Sequence, residues 1–159
     1  MPAQKKISSF FLFVLIAMLL EWVGHILTMT SVHDWYPMLQ KSSWNPPPYV
    51  FGPVWTVLYW MIGIAGWRVY ISPFSKNEKY KAFTAYGIQF AFNVLWSFCF
   101  FFLRSPLWGF VDIVFLLVAI LFTVRFFYRI DKAGGLLLIP YFAWTFFAAV
   151  LNFTIWRLN

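Results

Sequence analysis

Five long apolar runs fill almost the whole of this 159-residue chain, and each is long enough to cross a bilayer. They extend from Ile7 to Met29, Tyr49 to Tyr70, Ala82 to Leu103, Leu107 to Tyr128 and Gly134 to Trp156. A hydrocarbon core takes roughly 20 residues of helix at ~1.5 Å rise per residue. A membrane β-barrel would instead alternate in segments of about 10 residues, and the sequence has no such pattern. A soluble bundle would need polar outer faces, which a charged fraction of 11% cannot supply for five helices. The expected fold is therefore an all-α integral membrane bundle of five transmembrane helices, one domain over residues 1–159. Lys5 and Lys6 ahead of Ile7–Leu20 imitate a signal peptide, but Glu21 and Trp22 follow where small cleavage-site residues would stand, so the first run is expected to be a retained helix.

The formal charge of +7 looks at first like a nucleic-acid signal. Its distribution points elsewhere. With alternating helices, Lys5, Lys6, Arg68, Lys76, Lys79, Lys81, Arg125, Arg129 and Lys132 share the side of the N-terminus, nine of the twelve basic residues. Lys41, Arg104 and Arg157 lie opposite. This is the positive-inside bias, which predicts a cytoplasmic N-terminus in a bacterial cell membrane and no nucleic-acid partner. In an outer membrane, bacterial or mitochondrial, the two sides would be less securely labelled.

Three connections are short: Ile71–Glu78, Arg104–Pro106 and Asp131–Gly135. Short connections predict that sequential helices pack as antiparallel neighbours. Thr30–Pro48 is the exception, long and aromatic, with Trp35, Tyr36 and Trp44 ahead of Tyr49. It is expected to fold over one mouth of the bundle, against the plainer reading of an aromatic belt at the interface. Pro46, Pro47 and Pro48 stiffen its end and set the start of helix two, with Pro53 following.

Ionisable groups at membrane depth are few: Glu21, His25 and Asp112. Each costs ~2.5–3.5 kcal/mol at a bilayer centre, so each is a functional candidate. Glu21 and His25 are four apart on one helix face. An ion pair, a proton-linked switch, a polar edge toward a cavity and a plain mutual hydrogen bond all fit that spacing. Asp112 is expected to bond neighbouring backbone or hydroxyl groups. Gln89, Asn93 and Asn152 are buried amides that need partners and so should face the bundle or its cavity. Gly87 and Ala91 have the small-xxx-small spacing of a dimer face.

Cys99 stands alone, which removes disulfides and thiolate metal sites, and His25 and His33 are too few and too separated for a metal centre. No phosphate loop, nucleophile elbow or catalytic carboxylate pair is present. The remaining possibility is a cavity of aromatic faces with a few amide donors, suited to a large, flat, apolar ligand.

Several motifs occur in order: Trp35-Tyr36, Leu39, Lys41, Trp44, Pro46 and Pro47; Trp55-Thr56 with Leu58-Tyr59; Gln89, Asn93 and Trp96 ahead of Phe100-Phe101; Asp112; then Pro140-Tyr141, Trp144, Phe147-Ala148, Leu151-Asn152 and Asn159. In these the chain resembles the translocator protein family, also called the tryptophan-rich sensory protein or peripheral benzodiazepine receptor family. The resemblance implies a five-helix fold, commonly a homodimer, with a pocket open toward the first-loop side. As ligands it implies protoporphyrin or haem-like tetrapyrroles, sterols in some members, and isoquinoline carboxamide and benzodiazepine-type drugs, with no required cofactor. Matched position by position, it places Tyr36 and Pro46 in the lid, Trp55 and Tyr59 on helix two, Asn93 and Trp96 on helix three, and Trp144, Phe147, Ala148 and Leu151 on helix five. Trp35, Lys41 and Trp44 stand at the mouth, Lys41 as the cation for ligand carboxylates. The porphyrin ring would lie between Trp55, Trp96 and Trp144.

Two departures stand out. Lys41 is followed by Ser42 where the family carries Lys-Pro, which predicts a less rigid lid. Phe153 stands between Leu151 and Arg157 where a sterol-recognition pattern needs tyrosine, which weakens the case for sterol; Val124, Tyr128 and Lys132 meet that pattern by accident. Glu21 and His25 have no counterpart in the family. Three functions are compatible with the resemblance: a binder or sensor of tetrapyrroles, a transporter of porphyrins or sterol-like lipids, and an enzyme that degrades porphyrin in light and oxygen. Trp55 and Trp144 would be the redox candidates for the last.

Overall fold

The computed structural model describes residues 2–159. Its long helices are α1 (Ala3–Met29), α2 (Pro48–Ile71), α3 (Lys76–Ser97), α4 (Pro106–Ile130) and α6 (Ile139–Leu158). A π turn, Phe98–Phe102, continues α3, and the short α5 (Lys132–Leu136) leads into α6. Five spans are long and apolar enough to cross a membrane: α1, α2, α3 with its π turn, α4, and α5 with α6.

Capping explains where the boundaries differ from expectation. α3 begins at Lys76 rather than Ala82 because the Ser75 hydroxyl accepts the Glu78 N–H, with the Glu78 carboxylate in the positive first turn. The fifth run starts early as α5, where the Asp131 carboxylate accepts the Gly134 N–H at 2.6 Å. It breaks at Leu137–Leu138 and resumes with Pro140 in the first turn of α6, where a missing N–H does no harm.

α1 lies along α2, α3 along α4, and α4 along α6. The short link Ser72–Ser75 predicts α2 and α3 as close neighbours, yet α3 packs more extensively on α1 than on α2. Gly63 accounts for this. A Cβ there would lie 3.0 Å from the Val14 Cα and 3.2 Å from the Phe13 carbonyl oxygen, so α1 is drawn against the α2 backbone. Ile62, Leu116, Ile120, Phe127 and Tyr141 fill the centre, while Phe11, Leu15, Phe115 and Phe122 point outward.

The charges gather at opposite ends. At one end Arg68 Nε donates to Asp131 at 2.6 Å and Trp67 Nε1 donates to the Lys6 carbonyl at 3.1 Å. At the other, Arg104 pairs with Asp34 at 2.7 Å.

Candidate functional site

The connection between α1 and α2 folds back over the bundle and is fastened at several points. Buried Ser31 donates its hydroxyl proton to the Phe101 carbonyl at 2.7 Å. Trp35 and Tyr36 pack on the π turn, the former 5.6 Å from Phe100 and the latter 5.8 Å from Phe101 between ring centroids. Asn159 accepts the Gln40 N–H at 2.9 Å and returns a bond to the Gln40 carbonyl at 3.0 Å, tying the loop to the end of α6. Trp44 lies 6.1 Å from Phe147. The loop is thus a lid on the end of the bundle.

Lys41 fastens the lid. Its ammonium donates to the carbonyls of Tyr36 and Leu39 at 2.6 and 2.8 Å and sits 4.6 Å from the Tyr36 ring centroid. Burial holds its pKa below the ordinary lysine range. Two of the three ammonium protons are thus engaged by the lid's own carbonyls. The Trp35 N–H, with the Arg104 guanidinium adding to it, holds the Asp34 carboxyl below its usual range.

Beneath the lid is a cavity of about 320 Å³, walled by α1, α2, the end of α3 and α6. α2 contributes Phe51, Trp55 and Tyr59; α3 and its π turn contribute Asn93, Trp96, Phe100 and Phe101; α6 contributes Ala148, Leu151, Asn152 and Ile155. α1 presents Glu21, Gly24, His25 and Thr28, and Tyr36 and Val32 close the lid side. The wall residues that remain exposed are His25, Met29, Pro48, Tyr49 and Gly52, all on α1 and α2. They mark the mouth as the gap between the end of α1 and the start of α2. Pro53, inside α2, has no N–H for the Tyr49 carbonyl at that gap.

The π turn shapes the far wall. Its wider winding, with the Leu103 N–H on the Phe98 carbonyl at 2.9 Å, buries Phe100 and Phe101 side by side, their ring centroids 4.9 Å apart. Trp96 stacks on Phe100 at 5.4 Å. The turn ends at Arg104, whose φ of 50° is left-handed.

Most amides and phenols in the wall are committed to one another. Tyr59 donates to Asn93, Asn93 donates to Tyr141 at 2.8 Å, and Tyr141 donates to Gln89 at 2.8 Å. Trp96 Nε1 donates to Asn152 at 3.0 Å, and Asn152 donates to the Pro106 carbonyl at 2.7 Å. Gly109 permits this last pairing, since a Cβ there would lie 2.9 Å from the Asn152 amide oxygen. The buried amides thus face inward as expected. Asp112 departs from expectation: it is buried and neither carboxylate oxygen has a hydrogen-bond partner. Glu21 and His25 make no bond to each other; Thr56 donates its hydroxyl proton to Glu21 at 2.7 Å across α1 and α2.

Of the residues the sequence nominated, Tyr36, Trp55, Tyr59, Asn93, Trp96, Ala148 and Leu151 come together on the cavity wall. Pro46, Trp144 and Phe147 do not. Trp144 stands behind Phe51, 5.8 Å away, and against Phe147 at 5.5 Å, its indole N–H buried without a partner. On the cavity wall Phe51 stands with Trp55 and Trp96, where the sequence reading had Trp144. Sequence reasoning missed Gly24 and Thr28, which extend the Glu21–His25 face by helical spacing, and Ile155, which extends the Ala148–Leu151 stripe, while Asn152 lines the cavity as a buried amide was expected to. Phe100 and Phe101 had no periodic signal, because a π turn breaks the helical register.

The fold and this site define a multi-pass membrane protein built around an aromatic cavity covered by its first loop. The chain belongs to the TspO/MBR family, whose model it matches over residues 13–157. It is 40% identical over 156 residues to the tryptophan-rich protein TspO of Chlorobaculum tepidum, covering 98% of this chain and 99% of that one. Similarity to the tryptophan-rich protein TspO of Archaeoglobus fulgidus is 39% over 146 residues, 92% of this chain and 94% of that one. The human translocator protein is 37% identical over 128 residues, 79% of this chain and 75% of its own length.

Proposed function

We propose that this protein binds tetrapyrroles such as protoporphyrin within the membrane and acts as a binder or sensor of them. The observation that carries the reading is the wall of Phe51, Trp55, Tyr59, Trp96 and Phe100 around a cavity whose amides are already paired. Such a wall offers flat π faces and little competition from free polar groups, which suits a large planar ligand. Phe153 argues against sterol: it faces outward on α6, packs on Phe110 at 5.2 Å and has no hydroxyl to offer.

Titrating detergent-purified protein with protoporphyrin in the dark, followed by tryptophan fluorescence, tests this reading. Saturable quenching is expected, weakened about tenfold in Trp55→Ala, since an aromatic contact adds ~0.5–1.5 kcal/mol beyond its buried area. Trp144→Ala should weaken it less, because Phe51 stands between that indole and the cavity. Absence of saturable quenching would overturn the reading. Loss of the porphyrin band under illumination, abolished in Trp55→Ala, would favour turnover; ligand flux in liposomes would favour transport.

The same reading includes the setting. The basic end of the bundle is taken to face the cytoplasm of a bacterial cell, and the lid the opposite side. A homodimer would form on α3, where Gly87 and Ala91 are exposed and a Cβ at Gly87 would meet nothing within 4 Å. Labelling of single cysteines at the two ends and cross-linking at position 87 test these two assignments.

A further inference from the structure

The basic residues at the end of the bundle that carries the N-terminus are unequally engaged. Arg68 is held by Asp131, and Lys79 donates to the carbonyls of Tyr70 and Ser72. Lys81 on α3 and Arg125 and Arg129 on α4 are exposed and enter no ion pair among the described residues. The same is true of Lys5, Lys6, Lys76 and Lys132 at that end. Glu78, three residues before Lys81, is the one carboxylate there outside an ion pair, so the group of Lys81, Arg125 and Arg129 stays positive with it counted.

Helix packing sets these three cations apart from the others. α3 and α4 run antiparallel, with Phe83 against Phe127 at 6.1 Å and Phe92 against Phe115 at 5.9 Å between ring centroids. Lys81 is two residues beyond Phe83 and Arg129 two beyond Phe127 toward the same end, so the two come level. Lys81 also lies about three turns from Phe92, and Arg129 about four from Phe115, which puts both on the flank of the seam where those rings stack. Arg125 is one turn from Arg129 toward the membrane centre. Farther along the same flank Ile88 and Phe122 point outward. Lys76 stands about 140° around α3 from Lys81. It is two turns from Phe83 on the side of α1, where Phe83 meets Phe13 at 5.7 Å.

The seam thus presents positive charge at the membrane interface next to a continuous apolar strip. An anionic phospholipid has the complementary plan: a phosphate that accepts from guanidinium and ammonium groups, and acyl chains that lie on apolar side chains. We propose that the seam between α3 and α4 at the basic end seats one anionic phospholipid, its phosphate held by Lys81 and Arg129 with Arg125 one turn deeper, and an acyl chain along Phe92 and Phe115. The seat is on the outer face of the bundle, at the end opposite the lid. It depends neither on the ligand of the cavity nor on which compartment the basic end faces.

The test is native mass spectrometry of the full chain, released from detergent with phosphatidylglycerol or, separately, with phosphatidylcholine of the same acyl chains. The parent is compared with Lys81→Gln, Arg129→Gln, their double variant, and a double variant of equal charge loss on the α1 side, Lys5→Gln with Lys76→Gln. Expected is one retained phosphatidylglycerol, held at least about tenfold more tightly than phosphatidylcholine. Each single substitution at the seam should weaken it about fivefold, the effect of one basic residue near an anionic headgroup, and the seam double variant by more than about tenfold. The Lys5 and Lys76 double variant should change it less than about twofold, and Lys81→Arg should keep the lipid. Equal weakening in the two double variants overturns the inference, since the attraction would then belong to the basic end as a whole. Equal retention of the two lipids overturns it too, leaving only apolar adhesion. So does a parent that retains neither lipid, or an unchanged affinity in the seam variants.

Discussion

Asn93 holds three helices through one amide. Its oxygen accepts from Tyr59 on α2 and its nitrogen donates to Tyr141 on α6, while its own backbone belongs to α3. Tyr141, wholly buried, passes the chain on to Gln89. Removing the amide leaves two phenols short of a partner in an apolar interior, where neither water nor lipid replaces it. Hydrogen bonds between membrane helices contribute modestly, so Asn93→Ala should cost about 1–2 kcal/mol. A shift of the unfolding midpoint in a denaturing-detergent titration measures it, and Tyr59→Phe, which removes the donor left unpaired, should recover part of the loss in the double variant. That Asn93 needs buried partners was legible from its type in an apolar run. Which partners it found was not, because Tyr59 and Tyr141 lie 34 and 48 residues away.

At the scale of the element, the ends of helices carry the readable chemistry. Ser75 and Asp131 cap α3 and α5 as their residue types suggest. Asp131 also holds Arg68, which keeps its carboxyl below the usual range, with the Gly134 N–H assisting and partial burial opposing. A folded-state pKa below the unfolded value of about 3.9 contributes stability that is complete above that pH and is lost as pH falls through the folded value. The pair is partly exposed, so solvent screens it, and Asp131→Ala should cost about 1 kcal/mol at neutral pH, mostly as a lost cap. The difference between variant and parent unfolding midpoints should shrink as pH falls through the folded-state pKa of Asp131. The π turn at Phe98–Phe102 was not legible, since five residues reading Phe-Cys-Phe-Phe-Phe fit an ordinary apolar helix equally well. It forms where the chain must present Phe100 and Phe101 to the cavity and the lid and then reverse at Arg104.

Across the whole molecule the lid is held by contacts between residues distant in sequence. Gln40 meets Asn159, 119 residues away, and Asp34 meets Arg104 across 70. Each is a surface contact, so local opening of the lid should be far easier than unfolding of the bundle. Asn159→Ala, which removes both bonds to Gln40, should raise amide exchange over residues 31–41 about fivefold, the effect of ~1 kcal/mol, and leave α4 unchanged. Equal exchange in variant and parent would mean that the aromatic contacts of Trp35, Tyr36 and Trp44 hold the lid unaided. The sequence by itself determined the five spans, the segregation of basic residues to one end, the loop as a covering element and the aromatic character of the site. Those follow from the cost of exposing polar groups to hydrocarbon, which acts on each segment separately. Only the tertiary structure decided that α1 lies between α2 and α3, that Trp144 stands behind Phe51, that Lys41 fastens the lid, and that His25 reaches the mouth unpaired. Each depends on how closely two helices approach, as at Gly63 and Gly109, and closeness between distant segments is set by packing the whole bundle at once.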